Sequence, residues 1–249
     1  AQFNLGREVF LVPIAWDYDG WPLVDNHNGM VNLEERRPEL PYFRPPHHSG
    51  VDNFEEKVLD MIWCMRRPVQ NPFYSLTVRP GYLRMELSHV RLEDMDTPAM
   101  LVRRQQHYNF QAALAMEFEP LRDGEEAGLV LTQNERFSFL LVKEMKKGRV
   151  MLNCYRLVNG VRELLRSVET GPGRLYLTVE GTEGSYDFYY GMRERQKTAL
   201  ALGEDGSILS TLVADGFVGT YLGMYASAGH KASHNHADFD WFRYEIIEE

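Results

Sequence analysis

Period-two alternation, repeated in short segments and cut by turn dipeptides, is the feature that most limits what this chain can fold into. ALAMEFEP (113–120) places Leu114, Met116 and Phe118 on one side of an extended backbone, and RLYLTVEG (174–181) does the same with Leu175, Leu177 and Val179. After a Thr-Glu-Gly turn, SYDFYYGM sets Tyr186, Phe188 and Tyr190 in one row, and GTYLGMYAS and ADFDWFRYEI follow in the same style. Successive side chains of a strand point to opposite faces, so each of these reads as a half-buried strand. Asp123-Gly124, Lys147-Gly148, Asn159-Gly160, Pro172-Gly173 and Asp205-Gly206 punctuate them with residues suited to tight turns. No stretch sustains a 3.6-residue apolar stripe. FEEKVLDMIWCM hints at a helical turn and competes with a strand at MIWCM. The pattern predicts an all-β fold, an antiparallel β-sandwich or jelly roll of two sheets.

Three regions follow along the chain. Residues 1–33 carry an opening strand at Val9 to Ala15, the DYDGWP turn and an aromatic anchor, Trp21. Residues 34–49 change character, with four prolines, mixed charge and no periodicity, and proline so dense blocks both helix and ladder. This stretch reads as a linker lying along a surface, held down by Tyr42 and Phe43. Residues 50–249 hold the sandwich. A length of 249 residues and a hydrophobic content of 44% are ample for a packed core. A net charge of −9 argues against nucleic acid, whose phosphates demand a positive surface. No apolar run approaches the roughly 20 residues of a membrane-spanning helix. The chain opens without Met or a basic leader, which leaves its compartment open between secreted and cytoplasmic, with a secreted setting favoured. Cys64 and Cys154 sit in apolar runs without neighbouring ligands and read as small buried hydrophobes, with a disulfide between them left open.

Several constellations are candidates for chemistry. Asp238 and Asp240 share a face in simple alternation, whereas Glu245 falls on the other parity, so a sandwich glycosidase lacks its third carboxylate. The pair is better suited to hydrogen bonds or to a structural Ca²⁺. His230, His234 and His236 have spacings compatible with Zn²⁺ but no further ligand cluster, and read as a polar loop. In LVRRQQHYNF, Arg103, Arg104 and His107 stand beside aromatics, as carbohydrate contacts or as a domain interface. Most aromatic rings belong to the core. Phe217 differs, because DGFVG flanks it with glycines on a loop, where a ring is placed for insertion into something else.

NLGREVFLVPIAWDYDGWPLV resembles the last blade of the five-bladed propeller of glycoside hydrolase family 43, the β-xylosidases and α-L-arabinofuranosidases. NPFYSLTVRPGYLRM, LVRRQQHYNFQAALAMEFEP, EEAGLVL, GFVGTYLGMYAS and ADFDWFRYE resemble, in order, the concanavalin A-like sandwich appended to those enzymes, similar also to carbohydrate-binding module family 91. The resemblance implies the C-terminal portion of a longer inverting exo-glycosidase. The family's base, pKa-tuning and acid carboxylates lie on earlier blades, so this chain carries no catalytic residue and is inert alone. It further implies that the GRE arginine, Arg7, reaches the sugar pocket, with Val9 where the family pattern has Thr, and that Phe217 walls the same pocket. The implied partners are the catalytic propeller and xylan, arabinoxylan or xylooligosaccharide, with no cofactor required. A free-standing xylan-binding module and a purely stabilising domain are the rival readings.

Overall fold

The computed structural model describes residues 3–7, 9–24, 32, 34–43, 50–69 and 72–247. These fall into two compact units. One contains residues 3–7 together with 50–247, and the other comprises the stretch between them.

Among the described residues of the smaller unit, β1 (Ile14–Trp16) pairs with β2 (Pro22–Val24) as a hairpin. Asp17 builds its turn, with Oδ1 accepting from the backbone N–H of Asp19 and Trp21. The strand starts at Ile14 rather than Val9, since Pro13 offers no N–H to a ladder. Tyr42 and Phe43 are exposed, which corrects the expectation that they hold the proline-rich stretch down. Phe10, Trp16 and Trp21 are exposed as well, because so small a unit has no interior to receive them.

The larger unit is an antiparallel sandwich. Its strands are β3 (Val51–Asp52), β4 (Tyr74–Ser75), β5 (Leu83–Glu86), β6 (Ala99–Arg104), β7 (Phe110–Glu117), β8 (Glu126–Asn134) and β9 (Phe137–Lys146). They continue with β10 (Arg149–Val158), β11 (Val161–Glu169), β12 (Arg174–Thr182), β13 (Ser185–Gly191), β14 (Thr198–Asp205), β15 (Tyr221–Ser227) and β16 (His236–Ile246). One sheet has the order β11-β10-β9-β8-β15-β6, and the other β14-β13-β12-β7-β16-β5-β4 with β3 also on β16. A 3-10 turn (Gly206–Leu209) and one turn of α-helix, α1 (Thr211–Ala214), precede β15.

The alternation read from the sequence sets the interior. Leu114, Met116, Leu175, Leu177, Val179, Tyr186 and Phe188 project from one sheet onto Leu129, Leu131, Phe139 and Leu141 of the other. At the hairpins, Lys147-Gly148 and Asn159-Gly160 both have two consecutive positive φ angles, 52°/73° and 52°/78°. That is the mirror-image turn whose twist matches antiparallel strands. Strands β8 and β9 do not alternate, because the six-stranded sheet is apolar on both faces. Its outer side carries a second cluster that includes Val102, Val130, Leu140, Val142 and Tyr225. The stretch 54–65 forms neither helix nor strand beyond one bridge from Cys64 to Val102. Cys154 is buried and free. Cys64 is free and exposed, which corrects half of the reading of both as core.

Register explains β16. It shifts between Phe239 and Trp241, a bulge that leaves Asp240 without a partner on β7. Phe239 faces the core before the bulge, Phe242 and Tyr244 after it. Asp238 and Glu245 therefore share the outer face, contrary to the simple parity count. They pair with Glu117 and Gln111, six residues apart along β7, a span of about 20 Å at strand rise.

Candidate functional site

Arg7 and Phe217, 210 positions apart in the chain, meet at one rim of the sandwich, where β6 ends and β15 begins. The Arg7 guanidinium carbon sits 3.8 Å above the centre of the Phe217 ring, and both side chains are exposed. An exposed cation–π contact is worth about 0.5–1 kcal/mol, too little to fix a strand. The backbone does that. Arg7 N–H donates to the Phe217 carbonyl at 3.4 Å, and Thr220 N–H donates to the Asn4 carbonyl at 2.7 Å. Gly6 and Gly219 face each other so closely that a Cβ on Gly6 would lie 2.4 Å from the Gly219 nitrogen.

Each partner has its own support. Asn4 is fully buried, and its amide donates to the Gly206 carbonyl at 2.8 Å and to Tyr186 Oη at 3.1 Å. Tyr186 in turn donates to Gln105 Oε1 at 2.7 Å, and burial pushes the phenol up to about 12, so it stays protonated and able to donate. Arg104 donates to the Leu5 carbonyl at 2.9 Å. The Phe217 loop turns at Asp215 and Gly216, with φ of 69° and 81°. Gln133 holds it by donating to the carbonyls of Asp215 at 2.7 Å and Val218 at 3.4 Å, and Asn134 donates to that of Ala214 at 2.9 Å. The result is a planar cation and an aromatic ring presented on a rigid rim, suited to hydrogen-bond hydroxyls at one edge and to cover an apolar sugar face with the other.

The other sequence candidates divide. Arg104 belongs to this rim. Arg103 is buried between the sheets, 4.5 Å over the Tyr244 ring and donating to Gln106 Oε1 at 2.9 Å, so it offers nothing to a sugar. His107 lies partly buried against Tyr244 Oη, and burial first, then Arg103, holds its imidazole below the usual value. Arg103 shares the inward face of β6 with Leu101, which corrects the reading of it as a carbohydrate or interface contact, whereas Arg104 on the other face stays exposed.

Asp238 and Asp240 face arginine. Asp238 is engaged by both Arg84 nitrogens, at 2.7 and 2.8 Å, and by Arg79 at 2.8 Å, while Asp240 pairs with Arg174. Arg79, Arg84 and Arg174 already balance the charge of Asp238, Asp240 and the neighbouring Glu117, so no net negative charge is left to hold Ca²⁺, and the residues do not fit that ion. Among the described residues no three His, Cys, Asp or Glu side chains converge on one point. His230 bonds Asp94 at 2.9 Å and His236 approaches Asp238 at 3.8 Å, so the histidine run is split between two neighbourhoods.

Residues 51–245 match the family described as the β-xylosidase C-terminal concanavalin A-like domain. The chain belongs to that family. Over 246 residues it is 32% identical to a non-reducing end α-L-arabinofuranosidase of Bacteroides ovatus, covering 98% of this chain and 46% of the relative. It is also 32% identical to a xylosidase/arabinosidase of Butyrivibrio fibrisolvens, over 99% of this chain and 48% of that protein. A solved Bacteroides ovatus structure, a family 43 protein of a xyloglucan utilisation locus, superposes with a TM-score of 0.89 at 30% identity, over 99% of this chain and 48% of that one. The chain thus spans about half the length of the curated relatives it matches.

Sequence motifs pointed to Arg7 and Phe217. Asn4, Gln105, Tyr186 and Gln133, which hold them, were missed. The signal available was the glycine pair in LGRE and GFVG, small residues where two backbones must approach.

Proposed function

We propose that the chain is the accessory C-terminal part of a family 43 exo-glycosidase that releases xylose or arabinose units from xylan, arabinoxylan or xylooligosaccharides. In this reading its partner is a five-bladed propeller bearing the acid and base carboxylates, and the rim formed by Arg7 and Phe217 closes that propeller's sugar pocket. The observation that carries the reading is the stack of Arg7 on Phe217, held by backbone contacts from both sides. The guanidinium orients hydroxyls and lowers the proton affinity of a nearby carboxylate. The ring excludes water beside the reacting carbon.

The test is Phe217→Ala in the enzyme assembled with its propeller, on p-nitrophenyl β-xyloside and α-L-arabinofuranoside. The expected result is a fall in kcat/KM of about 10–100-fold, the size of effect that lost positioning produces. An unchanged kcat/KM on both substrates overturns the capping role.

A further inference from the structure

A concavity lies beside the rim and shares Gln133 and Val218 with the support of the Phe217 loop. It encloses about 270 Å³ and is lined in part by Cys64, Arg66, Val102, Gln133, Val218 and Tyr221. That volume is just under the roughly 300 Å³ at which pockets for drug-sized ligands begin, so it suits one small ring rather than a chain.

Two of its polar groups are incompletely matched. Gln133 is 7% exposed, and its Oε1 has no hydrogen-bond partner, although its amide nitrogen is fully used on the Phe217 loop. A buried acceptor left unpaired costs about 1–3 kcal/mol. Arg66 is partly buried and donates only to neutral acceptors among the described residues, the Leu92 carbonyl and Thr132 Oγ1. Burial, the largest influence on it, holds its guanidinium below the usual value. The carboxylate nearest to it in charge, Glu135, is already bound to Arg67. Glu93, the other carboxylate that acts on Arg66, is bound to Arg162, so neither carboxylate pairs directly with Arg66. The apolar lining of the pocket includes Val102, Val218 and the partly exposed Tyr221.

An occupant must therefore bring an anion for Arg66, a hydroxyl donor for Gln133 Oε1 and a compact ring with an apolar face. We propose that this pocket binds a single carboxylated sugar, a uronic acid, with its carboxylate on Arg66, a ring hydroxyl donating to Gln133 and its C–H face against Tyr221 and Val102. The site is built from this chain alone, so it stands or falls independently of the capping role proposed above.

Cys64 at the pocket wall reports occupancy directly. It is exposed, whereas Cys154 is buried, and burial pushes that thiol far up, so N-ethylmaleimide marks Cys64 alone. The rate of single alkylation of the chain, read by intact mass, is compared in glucuronate, xylose and acetate at equal concentration and ionic strength. Glucuronate is expected to slow the reaction at least about fivefold at saturation, with xylose and acetate near the ligand-free rate. Arg66→Gln is expected to abolish the protection, read as the ratio of that variant's own rates with and without glucuronate, and Arg66→Lys to keep part of it. No protection by glucuronate overturns the site. Equal protection by acetate overturns the sugar, and equal protection by xylose overturns the role of Arg66. These three ligand comparisons need only the unmodified chain, so they decide the question even where an Arg66 variant fails to fold.

Discussion

At the scale of single residues, the rim depends on two positions that carry no side chain at all. A Cβ on Gly219 would lie 2.5 Å from the Leu5 carbonyl carbon and 2.7 Å from the Asn4 oxygen, all backbone and unable to turn away. Gly219→Ala is therefore expected to cost about 1–3 kcal/mol by urea denaturation and to remove the ring-current shift that Phe217 imposes on the Arg7 side-chain protons. A stability and an Arg7 spectrum both unchanged would mean that residues 3–7 are not held by this contact. Arg7 and Phe217 were legible in the sequence because each sits in a recognisable motif. Their supports were not, because hydrogen bonds such as Asn4 to Tyr186 join positions 182 apart, and no local pattern encodes such a partner.

At the scale of elements, the bulge in β16 decides which carboxylates gather. It returns Trp241, Arg243 and Glu245 to the outer face and leaves Asp238 at the centre of an arginine cluster with Glu117. Asp238→Asn removes the anion from between Arg79 and Arg84. Breaking a buried pair costs about 3–5 kcal/mol, and the lower end is expected here because those arginines are 33% and 25% exposed. A urea-derived loss below about 1 kcal/mol would reduce the cluster to an ordinary surface ion pair. Strands β12 and β13 were readable because one face of each is buried and the other half-exposed, and β7 because its large side chains face the core and its other face carries Ala113 and Ala115. Strands β8 and β9 lost their alternation to burial on both faces, and β16 defeated a parity count because one inserted residue flips every side chain after it. The hairpin turns were readable for the opposite reason, since Lys147-Gly148 and Asn159-Gly160 encode their geometry within two residues.

At the scale of the whole molecule, several ionisable groups share one direction of shift. Burial pushes the carboxyls of Asp238, Glu117, Glu125 and Glu135 upward, but hydrogen bonds and positive neighbours outweigh it and hold each below its usual value. His107 is also held low, by burial and then by Arg103. The unfolded chain therefore takes up protons first as pH falls. The stability these groups contribute is complete above their unfolded values, about 6.5 for histidine and about 4 for the carboxyls, and is lost as pH drops through the folded ones. Tm is expected to decline shallowly below about pH 6.5 and steeply below about pH 4. Relief of self-repulsion as the charge of −9 shrinks softens the first step. His107→Asn should remove that first step and leave the second, and an identical change in Tm from pH 7 to 5 in the variant and the unaltered chain would exclude any contribution from His107. The grouping of residues 3–7 with the sandwich, across the unit that intervenes in the chain, also bears on inheritance. A recombination junction at residue 50 follows the covalent order yet parts the arginine from the glycine, tyrosine and amide groups that seat it. A junction ahead of residue 3 transmits the pair intact, so chimeras between relatives should keep a working rim only when both crossover partners honour the spatial grouping and not the linear one.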